Sequence, residues 1–267
     1  MTQEKEMSFL DHLEELRWHI IRSTIAIISA ATLAFLGKSF LFDVIIFGPT
    51  KPDFFTYDML CNASNLIGYD SFCDTVFDFE VQSRTMAGQF SAHIWTSITF
   101  GFILAFPYVL YEVWKFISPG LYTKERKHSR GFLFFSSVLF FIGVLFGYYV
   151  ICPLSINFLG TYSVANQVHN DFDLNSYIGL VRASVLASGF IFELPIVIYF
   201  LTKIGLVTPA FLKKNRKYAL VIVLILAAII TPPDVASQII VAIPVIILYQ
   251  FSILISKIVI KKQKRQS

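Results

Sequence analysis

Apolar residues in this chain come in long blocks, and the polar segments between them alternate in charge. Residues 94–111, 131–151 and 235–256 hold no charged side chain; 178–201 holds only Arg182 and Glu193, and 23–47 only Lys38 and Asp43. A sixth block, 218–230, is shorter. Crossing a hydrocarbon core about 30 Å thick takes about 20 helical residues. Backbone groups that cannot bond water in lipid leave only helices or closed barrels as spanning structures. The pattern predicts an all-α membrane protein with six transmembrane helices, near 20–47, 90–117, 131–151, 177–201, 217–231 and 235–256, in one membrane domain over 1–267.

Lys and Arg set the orientation. Eighteen of the 22 fall in residues 1–22, 112–130, 202–217 and the tail from Lys257 onward, whereas the alternate segments hold only Lys51 and Arg84. The positive-inside rule then predicts both termini on the cytoplasmic side. A chain that is 55% apolar with 28 Phe is too hydrophobic for an ordinary soluble domain. Its net charge of +4 is a topology signal and gives no reason to expect nucleic acid as a partner. Residues 1–19 are polar, with acids where a basic n-region would stand, so no cleavable signal peptide is expected.

Phe9, Leu13, Leu16 and Ile20 recur at helical spacing behind Ser8 and Asp11, which resemble a capping box. They predict an interfacial amphipathic helix running into the first span. The acidic, aromatic segment 48–89 reads as an ordered first outer loop, and 152–176 as a second outer loop. Cys61 and Cys73 share the first loop and are candidates for a disulfide, although spacing alone does not bring two sulfurs together. Cys152, at a helix end, reads as a buried thiol. Thr208-Pro209 marks a helix start. The last hairpin is short: 218–230 spans about 20 Å before Thr231-Pro232-Pro233-Asp234 turns it back, so it should thin the bilayer or be shielded by neighbours.

No phosphate loop, metal-ligand spacing or nucleophile motif is present, so neither enzyme, cofactor nor metal is expected. His12 and His19, flanked by Glu, read as solvated, and His93 as an anchor at the start of the second span. Ionisable groups at membrane depth are costly and functional. Glu193 lies mid-span beside Pro195, and Arg182, eleven residues earlier, lies three turns away and about 20° off its face. Glu15 and Glu125 read, on composition alone, as solvated charges.

Four ordered motifs change that picture. His12-Leu13-Glu14-Glu15-Leu16-Arg17, the run from Pro107 through Trp114 to Pro119-Gly120-Leu121-Tyr122, Phe192-Glu193-Leu194-Pro195 and Thr231-Pro232-Pro233-Asp234-Val235-Ala236-Ser237-Gln238 together resemble TatC, the multispanning subunit of the twin-arginine protein translocase. The long, two-cysteine first outer loop is similar to the Bacteroidetes-type version of the family. The resemblance implies a bacterial cytoplasmic (inner) membrane receptor. It would bind the twin-arginine signal peptides of folded proteins, self-associate, and organise TatA-type and TatB-type single-span partners for export driven by the proton-motive force. On matching positions it implies that Glu15 and Glu125 accept the two signal arginines, and that Leu16, Arg17 and Phe116 shape the site. Glu193 and Gln238 would meet a partner helix, and Pro49, Pro233 and Asp234 would be sensitive outer-face positions. Where many relatives carry a second basic residue two positions after Arg17, this chain has His19.

A guanidinium presents a planar fork that a carboxylate meets bidentately and that Lys cannot reproduce, so two separated carboxylates account for a demand for two arginines. Two exposed ion pairs, each worth about 0.2–1 kcal/mol, are too weak to hold a peptide, so its hydrophobic stretch should bind along the spans as well. The competing expectation is a proton-coupled secondary transporter with its site at Glu193, against which stand the absence of a two-half repeat and a last hairpin too short to rock.

Overall fold

Charge-free blocks leave the backbone no water to bond, and they fold as helices whose ladders close internally. The computed structural model describes residues 9–65, 79–117, 129–165, 167–230 and 235–264. In chain order they form α1 (Phe9–Leu36), a π-helical turn (Phe40–Ile46), a 3-10 turn (Gly48–Thr50), α2 (Phe55–Asn65), β1 (Val81–Gln82) and α3 (Gly88–Ile117). There follow α4 (Ser129–Phe146), a second π turn (Gly147–Ile151), α5 (Cys152–Thr161), β2 (Phe172–Asp173), α6 (Leu174–Phe192) and α7 (Leu194–Lys203). The chain continues through α8 (Pro209–Lys214), α9 (Arg216–Ile230) and α10 (Val235–Lys264).

Among the described residues, five stretches are long and apolar enough to cross a membrane: His12–Leu36, Gly88–Ile117, Leu133–Thr161, Leu174–Lys203 and Ser237–Gln263. The block expected as a sixth is helix α9, which at 15 residues is about 22 Å long. One expectation is corrected. Residues 152–161 are not loop: Pro153 opens α5 at a position where its missing N–H is no loss, and Leu154, Ser155 and Ile156 are buried, so the third apolar stretch runs on to Thr161. One short pairing accompanies the helices: β1 and β2 run in parallel, Val81 opposite Phe172 and Gln82 opposite Asp173. At the N-terminus, residues from Phe9 onward and the first apolar stretch form one continuous helix.

The chain divides into two compact units, Met1–Leu41 with His93–Val138, and Phe42–Ala92 with Leu139–Ser267. Within the first, α1 and α3 touch backbone to backbone. A Cβ added at Gly101 would lie 2.5 Å from Ala31 N, so only glycine lets the helices approach this closely. His93 anchors the same pair, its Nε2 donating to Phe35 O at 3.1 Å while its ring stacks on Phe35.

In the second unit, the π turn at Gly147 crosses α6, where a Cβ would stand 2.7 Å from Ser184 O. Tyrosine hydroxyls satisfy the carbonyls exposed by the irregular turns. Tyr148 donates to Ile45 O at 2.8 Å, Tyr177 to Ile46 O at 2.7 Å, and Tyr57 to Pro49 O at 2.8 Å and Pro153 O at 3.2 Å. Burial pushes the Tyr57 hydroxyl pKa well above the usual tyrosine range, so it stays a donor at any physiological pH. At α8, the Thr208 side chain accepts from Phe211 N, the cap expected of Thr-Pro. Helix α10 is fastened to α7 and α8 by Thr202 Oγ1 donating to Ser256 Oγ at 2.9 Å and Tyr249 donating to Leu212 O at 2.8 Å, around Ile198, Leu212 and Ile253.

Gly101→Ala should lower stability by about 1–3 kcal/mol, because backbone cannot yield as a side chain would. Gly131→Ala, which meets open space, should leave the melting temperature of the full chain in detergent unchanged or slightly raised.

Candidate functional site

Two side-chain stripes build the site in the first unit. On α1, His12, Glu15, His19 and Arg22 recur at spacings of three and four and share one face; on α3, Tyr108, Glu112 and Phe116 recur every fourth residue. The stripes interlock. His12 stacks on Phe116 with ring centroids 4.4 Å apart, and His19 meets the edge of the same ring at 6.1 Å.

Glu112 is the electrostatic centre of this seam. Its side chain is 4% exposed, and Oε2 accepts from His19 Nδ1 at 2.5 Å, with Arg22 Nη1 3.8 Å away and the Tyr108 hydroxyl hydrogen-bonded to the same carboxylate. A carboxylate buried this deeply is tolerated only when paired and hydrogen-bonded. The reading of His19 as solvated is therefore corrected: it is buried, and its partner lies 93 residues away on another helix. Glu112, Tyr108 and Arg22 were missed because each looks unremarkable on its own helix. The signal was present in the fourfold spacing of Tyr108, Glu112 and Phe116.

Between His12 and His19 on the same stripe stands Glu15. It is half-buried, and its Oε2 is fully buried without a hydrogen-bond partner among the described residues, which corrects the reading of it as a solvated charge. Leu16 beside it is half-buried and Arg17 is exposed. The seam thus brings Glu15 into line with the histidines that hold Phe116, whereas Arg17 faces away from it. Glu125 lies outside the described residues.

A second set of predicted residues belongs to the other unit. Glu193 ends α6, and Pro195 follows where α7 begins; proline donates no backbone bond, so the ladder is interrupted beside the carboxylate. Arg182, on α6, has its Nε buried and without a hydrogen-bond partner among the described residues. Gln238 spends its amide inside the α9–α10 hairpin, Nε2 donating to Leu224 O at 3.1 Å. Pro49 is buried in the 3-10 turn, where its carbonyl receives Tyr57. Cys61, in α2, is disulfide-bonded, and Cys152 is a fully buried free thiol. Cys73, Pro233 and Asp234 lie outside the described residues. Among those residues, no group of three His, Cys, Asp or Glu is arranged to hold a metal ion.

Comparison with known proteins points to one family. The family profile described as Sec-independent protein translocase protein (TatC) matches residues 11–244. A Sec-independent protein translocase protein TatC of Blattabacterium sp. subsp. Periplaneta americana is 47% identical over 264 residues, covering 98% of this chain and 99% of its own. TatCy of Bacillus subtilis is 35% identical over 269 residues, covering 100% of this chain and 96% of its own. A crystal structure of the twin arginine translocase receptor TatC superposes with a TM-score of 0.66 at 33% identity, over 93% of this chain and 99% of that one.

If the Glu112–His19 pair holds the seam, Glu112→Ala should cost about 3–5 kcal/mol by leaving His19 and Arg22 facing an empty site. Adding His19→Ala should then cost little more. Thermal melting of the two single variants and the double variant reads this coupling, and simple additivity would refute it.

Proposed function

The chain belongs to the TatC family of Sec-independent protein translocase proteins, and from that premise we propose that it is the receptor of a twin-arginine translocase. In this reading it recognises the paired arginines in the signal peptides of folded proteins. The observation that carries the reading is the Glu15 carboxylate, half-buried with Oε2 unpartnered among the described residues. A carboxylate oxygen out of water without donors is unfavourable, and an incoming guanidinium supplies the missing hydrogen bonds in bidentate geometry. Glu125 takes the second arginine. Phe116, Leu16 and Arg17 shape the surface around them, and the stacking of His12 on Phe116 supports an aromatic wall beside Glu15.

Glu193 and Gln238 form an intramembrane contact for a single-span helix of the TatA or TatB type. Arg182, three turns along on Glu193's face, offers that helix a cation. Pro49, Pro233 and Asp234 act at the outer face, where the bonded state of Cys61 supports a Cys61–Cys73 disulfide closing the first outer loop. The charge bias supports six spans with both termini in the cytoplasm, in the bacterial inner membrane. Helix α9, too short to cross an unperturbed bilayer, supports local thinning beside the last hairpin. The protein works by binding and assembly, with transport driven by the proton-motive force.

Replacing Glu15 or Glu125 by Gln should weaken binding of a twin-arginine peptide to the purified full chain by about tenfold each. That corresponds to about 1.4 kcal/mol, near the lower end of a charge-assisted hydrogen bond. Melting temperatures should not change. Undiminished binding by the double variant would refute the assignment.

A further inference from the structure

The start of α9 and the facing part of α10 flank a half-open groove of about 260 Å³, its lining including Arg216, Lys217, Ala219, Leu220, Val223 and Ile246. Its lining changes character along the helix. Arg216 and Lys217 line it at the start of α9, and within two turns the wall becomes Ala219, Leu220 and Val223. That gradient, cationic then apolar, is the profile of a membrane interface.

More cations lie beside Arg216. Lys213 and Lys257 lie side by side, near enough that the Lys257 ammonium, with Arg216 close by, holds the Lys213 pKa below the usual lysine range. Lys213, Arg216, Lys217 and Lys257 are all exposed, and among the described residues no carboxylate pairs with any of them. Like charges held together without a counterion are unfavourable, so the cluster favours an anion from outside the chain. The apolar wall says which kind. A free phosphate gains nothing from Leu220, Val223 and Ile246, whereas an amphiphile satisfies both halves of the groove.

We propose that this groove binds an anionic phospholipid, its headgroup phosphate among Lys213, Arg216, Lys217 and Lys257 and the first part of an acyl chain along Ala219, Leu220, Val223 and Ile246. The volume falls just below the roughly 300–1,000 Å³ of pockets that enclose a whole drug-sized ligand. It therefore takes the headgroup and adjoining methylenes and leaves the rest of the lipid in the bilayer. Basic pockets between helices are a known way of recognising anionic headgroups. The inference needs a bilayer but does not depend on signal-peptide recognition.

Native mass spectrometry of the full chain, exchanged from phosphatidylglycerol or phosphatidylcholine nanodiscs, tests it. Phosphatidylglycerol should be retained and phosphatidylcholine lost, with inorganic phosphate at matched concentration giving no adduct and no shift in melting. The Lys213→Gln, Lys257→Gln double variant should retain phosphatidylglycerol about thirtyfold more weakly. At about 1.4 kcal/mol per tenfold that is about 2 kcal/mol, about 1 for each lysine. Ala219→Leu, which narrows the apolar wall but keeps every cation, should also reduce retention. Equal retention of phosphatidylcholine, equal effect of inorganic phosphate, or wild-type retention by both variants would overturn the proposal. Twin-arginine peptide binding measured in phosphatidylcholine alone reports separately on the receptor reading.

Discussion

Lipid offers no hydrogen bonds, and that constraint governs how this chain is built. At several places where its helices depart from regular geometry or carry a polar group, the chain supplies a partner of its own. The irregular turns near Ile45, Ile46 and Pro49 receive the hydroxyls of Tyr148, Tyr177 and Tyr57. Thr202 meets Ser256, and Gln238 meets Leu224 O. The most demanding case is Glu112, whose buried carboxylate gathers His19, Arg22 and Tyr108. Small residues serve the same end by a different route: at Gly101 and Gly147 the absence of a Cβ lets backbones touch, so that dispersion replaces the missing hydrophobic drive between helices in lipid.

Against that background the exceptions gain meaning. Among the described residues, the hydroxyls of Thr96, Ser97, Ser155 and Ser188 are buried without hydrogen-bond partners, and so are two atoms of charged groups, Glu15 Oε2 and Arg182 Nε. A chain that satisfies Glu112 with three side chains and leaves Glu15, one turn from His19, without a donor on that oxygen has kept a carboxylate in reserve. The seam then acts as a foundation. His12 and His19 fix Phe116, Glu112 fixes His19, and Glu15 rides on the same stripe of α1.

Much of this was legible from the residues. Charge-free blocks marked the helices, Thr208-Pro209 marked a helix start, and the proline after Glu193 marked the break between α6 and α7. The failures share a cause. His19 read as solvated because its own helix offers only glutamates, and the acid that pairs with it is distant in sequence. Residues 152–161 read as a loop because Cys152, Pro153, Ser155 and Asn157 interrupt the apolar run, although burial of Leu154 and Ile156 decides the matter. Pairing between helices and the cost of a single Cβ are tertiary facts that no local pattern carries. Glu125, Pro233, Asp234 and Cys73 lie outside the described residues, and their roles rest on the family.

The proposed receptor role requires a pair of carboxylates to select guanidinium over ammonium. It is tested most directly by comparing binding of two peptides to the purified full chain, one with its paired arginines intact and one with both replaced by lysine. Bidentate recognition predicts that the lysine peptide binds at least about tenfold more weakly, since a point charge keeps the Coulomb attraction but loses the fork geometry. Equal affinity for the two peptides would contradict the account.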